Sequence, residues 1–358
     1  MIRSIRLAAC TAAVMSATVV LTACGAASKK GDSASTAGAA TNAGTGAASV
    51  AAGTKSIQGK VVVDLLPSYD NSWMAAYGKA FEAQAKSLGL DVKTQTNNFD
   101  AAVQSQQIDD AIAQKVALIN ILPTNETAEL PALRRAKAAN IPVIITTSPL
   151  RPGHDDLFAA YYGPNHVTLG ELAAKSVCTA LSSDGRKGGK IALITGAQVF
   201  YEAVVRIQAF DAQIKKCSVP ISIVSTQDGQ WATNVSEQQA SQLFAKNQGA
   251  NALSAIYAMA DNQADGVITA AKQAGVAVGL GAKDLIVVGS NCTTEGVKNI
   301  GSGLQRSTNT QMAPVDGKAN ADLVGKYLSG ASVPRSTYDE STLITKANLA
   351  KYATGCTT

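Results

Sequence analysis

The chain has 358 residues, 46% hydrophobic and 16% charged, which excludes a charge-driven disordered chain and suffices for a buried core, most naturally divided between two domains. The formal net charge of +5 includes Arg3 and Arg6 near the N-terminus, and the remainder is too balanced to mark a nucleic-acid partner. Two histidines in the whole chain argue against His-based catalysis or a multi-His metal site, and the one long apolar stretch lies at the N-terminus, so no membrane span is expected in the body.

Residues 1–23 have the layout of an export signal: a short basic start at Arg3 and Arg6, an apolar stretch over 7–20, then Leu21, Thr22 and Ala23 before Cys24. A cysteine at this point resembles the signal of bacterial lipoproteins, in which Cys24 becomes the lipid-modified first residue; an ordinary signal with a chance cysteine is the alternative. One lipid chain holds a protein only weakly, so the resemblance implies several acyl chains on Cys24 and anchoring at the outer face of the cytoplasmic membrane. Residues 24–55 are nearly all Ala, Gly, Ser and Thr, with no bulky side chain before Val50. Such a segment buries too little to fold and is expected to be a tether.

From there strands and helices alternate. Residues 60–66 form an apolar run followed by loop residues 67–71. A helix follows with Ala76, Phe81, Ala85 and Leu88 on one side and Gly89 as its stop. Strands are predicted over 92–96, 116–122 and 141–147, with helices over 101–114 and 128–139, the latter ending at Asn140. The second half repeats the pattern, with strands over 190–195, 221–226, 252–259 and 285–289 and helices near 167–181, 202–216, 236–247 and 264–274. Apolar strands without alternation are buried on both faces, and their alternation with helices indicates parallel α/β sheets, too many strands for one small sheet and best divided between two similar lobes. Ligands of such sheets bind beyond the carboxyl ends of the strands.

No phosphate-binding G-x-x-x-x-G-K-[ST] loop, H-E-x-x-H or G-x-S-x-G motif occurs. Gly279-Leu-Gly281 lacks a third glycine and precedes a strand, so it is a turn. Gly185–Lys190 also precedes a strand and is expected to be a solvated turn. His154 and His166 are expected at the surface or a rim.

In order and spacing, these features resemble the sugar-type solute-binding proteins of bacterial ABC importers, nearest to the ribose-binding proteins. The resemblance covers roughly residues 57–346 and rests on Asn71-Ser-Trp73-Met74 with the helix ending at Gly89, on Ala138-Ala-Asn-Ile-Pro-Val-Ile-Ile145, on Arg206-Ile-Gln-Ala-Phe210, on Ala255-Ile-Tyr-Ala-Met-Ala-Asp261 and on Leu285-Ile-Val-Val-Gly289. It implies a type I periplasmic-binding-protein fold, α/β, with two doubly wound parallel-sheet lobes joined by a three-strand hinge crossing near Gly163, Gln311 and Glu340. Lobe one would be 57–163 plus 312–340 and lobe two 164–311 plus 341–358. Sugar-responsive repressors share this domain behind a DNA-binding helix-turn-helix, whose place is taken here by the signal and tether.

The chain's two tryptophans fall just after strands, one per lobe. A sugar offers apolar faces to aromatic rings and hydroxyls to Asn, Gln, Asp and Arg. The resemblance implies stacking by Trp73, with Met74 beside it, and by Trp231, with Asn71, Asn291 and Gln311 bonding the ligand; Tyr69, Asp70, Tyr161 and Tyr162 are further candidates. Departures from the family pattern bear on the ligand. Thr147 and Ser148 stand in place of an Asp-Arg pair, with Arg151 slightly later. Val204 stands where a ligand arginine is usual, Ala260 replaces an asparagine, and Asn291 replaces an aspartate. Asp261 is retained, as a ligand contact or a helix cap. The site is therefore expected to carry fewer charges than a ribose site. That points to a polyol or to a larger, deoxygenated or otherwise modified sugar.

Once the signal is removed and Cys24 is lipidated, Cys178, Cys217, Cys292 and Cys356 remain, an even number in an exported protein and without zinc-site spacing. Pairing 178–217 with 292–356 is preferred, though four cysteines allow three connectivities. The function expected is that of a non-enzymatic, monomeric receptor without metal or cofactor, delivering a sugar or polyol to an ABC permease. A sensor presenting ligand to a membrane signalling protein is the alternative. An exported hydrolase, for which no nucleophile–base constellation is found, is more remote.

Overall fold

A computed structural model of the chain describes residues 55–356; the expected signal, the expected lipidation position Cys24 and nearly all of the expected tether lie outside the described residues. The first sheet is built from β1 (Val61–Leu66), β2 (Asp91–Thr96), β3 (Leu118–Ile121), β4 (Val143–Thr146) and β5 (Ala160–Gly163), interleaved with α1 (Ser72–Ser87), α2 (Ala101–Ala113) and α3 (Leu130–Ala138). The second contains β6 (Gly189–Thr195), β7 (Ile221–Asp228), β8 (Ala255–Ala258), β9 (Ile286–Val288) and β10 (Ser307–Asn309). Its helices are α4 (His166–Ser183), α5 (Tyr201–Ile214), α6 (Thr233–Lys246), α7 (Asp261–Gln273) and α8 (Thr294–Gly301). The chain then returns to the first lobe through α9 (Ala313–Leu328) and β11 (Ser336–Tyr338), and crosses once more to β12 (Leu343–Thr345) and α10 (Leu349–Tyr352).

The strand orders are β11-β5-β4-β3-β1-β2 and β12-β10-β9-β8-β6-β7. All pairings are parallel except β12 against β10. Each sheet is doubly wound, reversing direction between β1 and β3 and between β6 and β8, the crevice where such sheets accept ligands. Residues of β3, β4, β5 and β8 are buried throughout, as their unbroken apolar runs require, whereas the outer strands β2 and β7 alternate.

The predicted elements occur, with shifted ends. The strand expected over 116–122 is only Leu118–Ile121, and Lys115 and Asn140 take positive φ at the stops of α2 and α3. Helix starts move to their caps: Asn71 Oδ1 accepts from Met74 N, Asp100 Oδ1 from Ala102 N and Asn165 Oδ1 from Val167 N. Trp73 consequently sits in the first turn of α1 and not in the loop. The turn at 185–190 is less solvated than expected, because Arg186 folds back onto Asp184 and the carbonyls of Ser254 and Asp284.

Two disulfides join Cys178 of α4 to Cys217 just past α5, and Cys292 after β9 to Cys356 after α10. Glycine 170 lets α4 lie directly on α5, since a Cβ there would meet the carbonyl of Arg206, and this close approach sets the depth of Arg206 beneath the cleft.

Candidate functional site

The loops after β1, β3 and β4 face those after β6, β7 and β9 across a cleft. They enclose a cavity of about 30 Å³. One wall carries Asn71, Trp73, Met74, Leu122 and Thr147; the other carries Phe200, Glu202, Arg206, Trp231 and Asn291, with Gln311 between. A wider cavity of about 430 Å³ shares Asn71 and Trp231 and is lined by Asp70, Phe99, Gln230 and Asn262.

Arg206 organises the inner cavity. It is 1% exposed. Its Nε donates to His166 Nδ1 (3.0 Å), Nη1 to Met259 O (3.2 Å) and to Asn291 Oδ1 (3.5 Å), and Nη2 to Gln311 Oε1 (3.3 Å). Its Cζ lies 5.6 Å from the centre of the Trp231 ring, within cation–π reach. Since arginine only donates, His166 Nδ1 accepts and Nε2 carries the proton given to Thr147 O at 2.7 Å. Burial, and then the Arg206 charge, hold His166 well below its ordinary value, so the ring is neutral. Its 3.8 Å approach to Glu202 Oε2 is therefore no ion pair.

Opposite, Trp73 Nε1 donates to Gln311 O at 2.7 Å, and its ring stacks on Tyr77 at 5.4 Å. Beneath, Tyr77 donates to Thr146 Oγ1 (3.1 Å), Asn120 Nδ2 to Asp64 Oδ1 (2.8 Å) and Asn320 Nδ2 to Asn120 Oδ1 (2.9 Å), a buried polar layer supporting the indole. Three lining residues have left-handed backbones: Thr147 (φ 61°), Trp231 (φ 58°) and Asn291 (φ 89°). Asparagine tolerates this region, but a β-branched threonine and a tryptophan are outliers of the kind that gathers at ligand clamps.

Comparison with known proteins places this geometry. A family model described as periplasmic binding protein domain matches residues 62–332. The chain belongs to that family. This binding protein is 27% identical over 289 residues to a putative rhizopine-binding protein of Rhizobium meliloti (79% of this chain, 89% of the relative). It is 25% identical over 303 residues to the D-apiose import binding protein of Paraburkholderia graminis (84% and 92%). A crystal structure of a galactofuranose binding protein superposes with a TM-score of 0.76 at 20% identity, covering 82% of this chain and 97% of that one. The fold is the type I periplasmic-binding-protein fold, and the family is one of binding proteins and not of enzymes. No helix among the described residues is long and apolar enough to cross a membrane.

Of the residues singled out in the sequence, the binding protein brings Asn71, Trp73, Met74, Thr147, Trp231, Asn291 and Gln311 to one cavity. Asn71 also caps α1. Others lie elsewhere. Ser148 donates to Glu126 Oε1 (2.8 Å) behind the wall. Arg151 stands 5.2 Å over the Tyr201 ring, away from the cavity lining. Asp261 is fully buried, accepting from Thr293 N (3.0 Å), Gln305 Nε2 (2.6 Å) and Thr308 Oγ1 (2.9 Å). It makes no capping bond for α7, and its carboxylate ties β10 and the loop after β9 together. Tyr69 is exposed, Asp70 lines the outer cavity, and Tyr161 donates to Thr147 O and Pro164 O. Tyr162 lines a separate cavity of about 380 Å³ beside the crossings.

One expectation is corrected. His166 is buried and not at the surface. Arg206 reaches into the cavity from the second turn of α5. Glu202, Phe200 and Leu122 were missed. The signal for the first was a Glu and an Arg four apart on a helix whose other inward positions are Ala203, Ala209 and Phe210, since i and i+4 share one face.

Proposed function

We propose that this protein is the lipid-anchored substrate-binding component of an ABC importer. It captures a sugar or a sugar-like small molecule (a polyol, or a deoxy or modified sugar) and hands it to a membrane permease. It works as a monomer held to the outer face of the cytoplasmic membrane through Cys24. Residues 57–163 with 312–340 act as one lobe and 164–311 with 341–358 as the other. Closure about the crossings near Gly163, Gln311 and Glu340 traps the ligand. The observation that carries this is the buried Arg206 guanidinium under the Trp231 face, opposite Trp73, with Asn71, Asn291 and Gln311 around it. Indole faces suit apolar ring faces; amides and a guanidinium suit hydroxyls. The names of the relatives, import binding proteins for D-apiose and ribose and a galactofuranose-binding protein, point the same way. A cavity of about 30 Å³ holds roughly two waters, so a ring enters as the lobes part and is gripped as they close.

The test is a thermal-shift screen of the full-length chain against pentoses, hexoses, deoxy sugars, polyols, nucleosides and amino acids. A ligand specific for the folded state adds about 2.7 kcal/mol at a hundredfold excess over Kd. A shift with a sugar or polyol, lost in Trp231→Ala and Arg206→Met, is expected. A shift confined to nucleosides or amino acids would refute the sugar assignment.

A further inference from the structure

Among the described residues, Glu202 is the one acidic side chain lining the inner cavity. It is 6% exposed, and its Oε2 has no hydrogen-bond partner. The groups near it are already engaged. His166 on α4 is 3.8 Å away and gives its ring proton to Thr147 O. Arg206, one turn along α5, points its donors at His166, Met259, Asn291 and Gln311. Glu126, from the loop after β3, is a second carboxylate that accepts from Ser148 and Tyr201 N. A buried acceptor left without a donor is costly, and such an arrangement persists where a ligand supplies the donor. The remaining polar groups on the wall are amides, a hydroxyl and the guanidinium, so Glu202 is the only anionic acceptor offered to a ligand. Its charge is balanced by Arg206 beside it, which fits a neutral ligand and not an ammonium.

We propose that Glu202 is a specificity-determining ligand residue whose Oε2 accepts a hydrogen bond from one hydroxyl of a neutral polyhydroxylated ring, so that rings lacking or O-methylating that hydroxyl are rejected. This rests on the sugar-binding reading and adds to it the anionic contact that Thr147, Ser148 and Asn291 do not supply. Burial pushes the Glu202 carboxyl up to about 7, opposed by Arg206 and by the Ser148 hydroxyl and reinforced by Glu126, while His166 stays neutral. The accepting, ionised form is therefore lost as pH falls below 7, and affinity weakens on acidification.

The experiment is calorimetric titration of the full-length chain, Glu202→Gln and Glu202→Ala. The probes are D-ribose, D-galactose and myo-inositol, each with its monodeoxy and mono-O-methyl derivatives, from pH 5.5 to 8.5. Three results are expected. The ring that binds the native chain loses about tenfold or more in both Glu202 variants. One deoxy or O-methyl derivative is weak for the native chain and is bound equally by Glu202→Ala, and the fall in affinity towards acid disappears in Glu202→Gln. Undiminished affinity in both Glu202 variants overturns the assignment while leaving the sugar reading intact. So does affinity that rises on acidification, which would make Glu202 a donor. An ammonium-bearing ring preferred over its hydroxyl parent overturns the neutral-ligand part. No binding of any probe by folded native chain overturns the sugar reading and this proposal together.

Discussion

Trp231 lies against the backbone of Gly196, the first residue after β6, so closely that a Cβ there would overlap the indole. The ring has little freedom to retreat: its own backbone is left-handed at φ 58° and Arg206 lies 5.6 Å from its centre. Gly196→Ala is therefore expected to tilt the indole and lower sugar affinity by about tenfold or more, with only a small fall in the midpoint of ligand-free unfolding, because the change is at a cleft loop and not in the sheet core. Titration beside thermal unfolding decides it; unchanged affinity would remove Trp231 from the ligand platform. The two tryptophans were legible as candidates because they fall just after strands, and Asn71 and Gln311 through the resemblance to sugar-type solute-binding proteins. Arg206 and Glu202 were not, because they enter from a helix, and a helix-borne charge usually faces solvent. Only the small residues around them, with Gly170 opening the way for α4, turn that face inward.

At the scale of elements, α5 lacks a cap of its own: Phe200 at its N-cap offers no side-chain acceptor. The acceptor comes from the opposite lobe, where Glu126 Oε1 receives Tyr201 N at 2.6 Å. A carboxylate at a helix N-terminus is favoured by both the orphan N–H and the helix dipole. Under the proposed hinge motion, closure gives α5 its cap and opening removes it. The Phe99–Phe200 edge contact at 6.4 Å and Arg151 over Tyr201 flank the same seam. Glu126→Ala is expected to bias the protein towards the open form and weaken sugar affinity by roughly three- to thirtyfold, the equivalent of a cap worth about 1 kcal/mol or somewhat more; equal interlobe distances in native and variant by spin-label spectroscopy would exclude the latch. The bridge Cys292–Cys356 has a comparable element-level role, because it fixes the left-handed pair Asn291–Cys292 that presents Asn291 to the cavity. Replacing both its cysteines with serine is expected to cost stability and affinity together, whereas the same change at Cys178–Cys217 costs stability alone. In the chain-entropy account, closures of 39 and 64 residues each contribute about 4 kcal/mol. The long apolar strands and Gly- or Asn-terminated helices could be read from the sequence. The strands β5, β10, β11 and β12 could not: AYYG, STN, STY and LIT carry no long apolar run, and their pairing is set by the crossings and not by local pattern.

The whole molecule buries carboxyls with few cations to match them. Burial pushes Asp64 up to about 7, Glu129 to about 8 and Asp261 to about 7, and no salt bridge reaches any of the three among the described residues. A carboxyl whose folded value lies above its unfolded one holds its proton more tightly in the native state. Between the unfolded value near 4 and the folded one near 7 or 8, the native state therefore binds more protons than the unfolded chain, and stability falls as pH rises through that window. The protein is expected to unfold at a higher temperature at pH 5 than at pH 8, the reverse of a fold held by ionised carboxylates in salt bridges. Asp64 isolates the effect. It is fully buried beneath Tyr77, its Oδ1 takes a bond from Asn120 Nδ2, and its Oδ2 has no partner. Asp64→Asn keeps an acceptor for Asn120 and removes the ionisation. It is expected to leave stability at pH 5 nearly unchanged and to raise it at pH 8 by an amount on the order of 3 kcal/mol, the part of a shift from 3.8 to about 7 that falls between the two pH values. Denaturant titrations of native and variant chains at the two pH values measure it. If the difference between them does not grow from pH 5 to pH 8, the Asp64 carboxyl keeps its ordinary value in the fold, and the acid-side stability must be sought in Glu129 and Asp261.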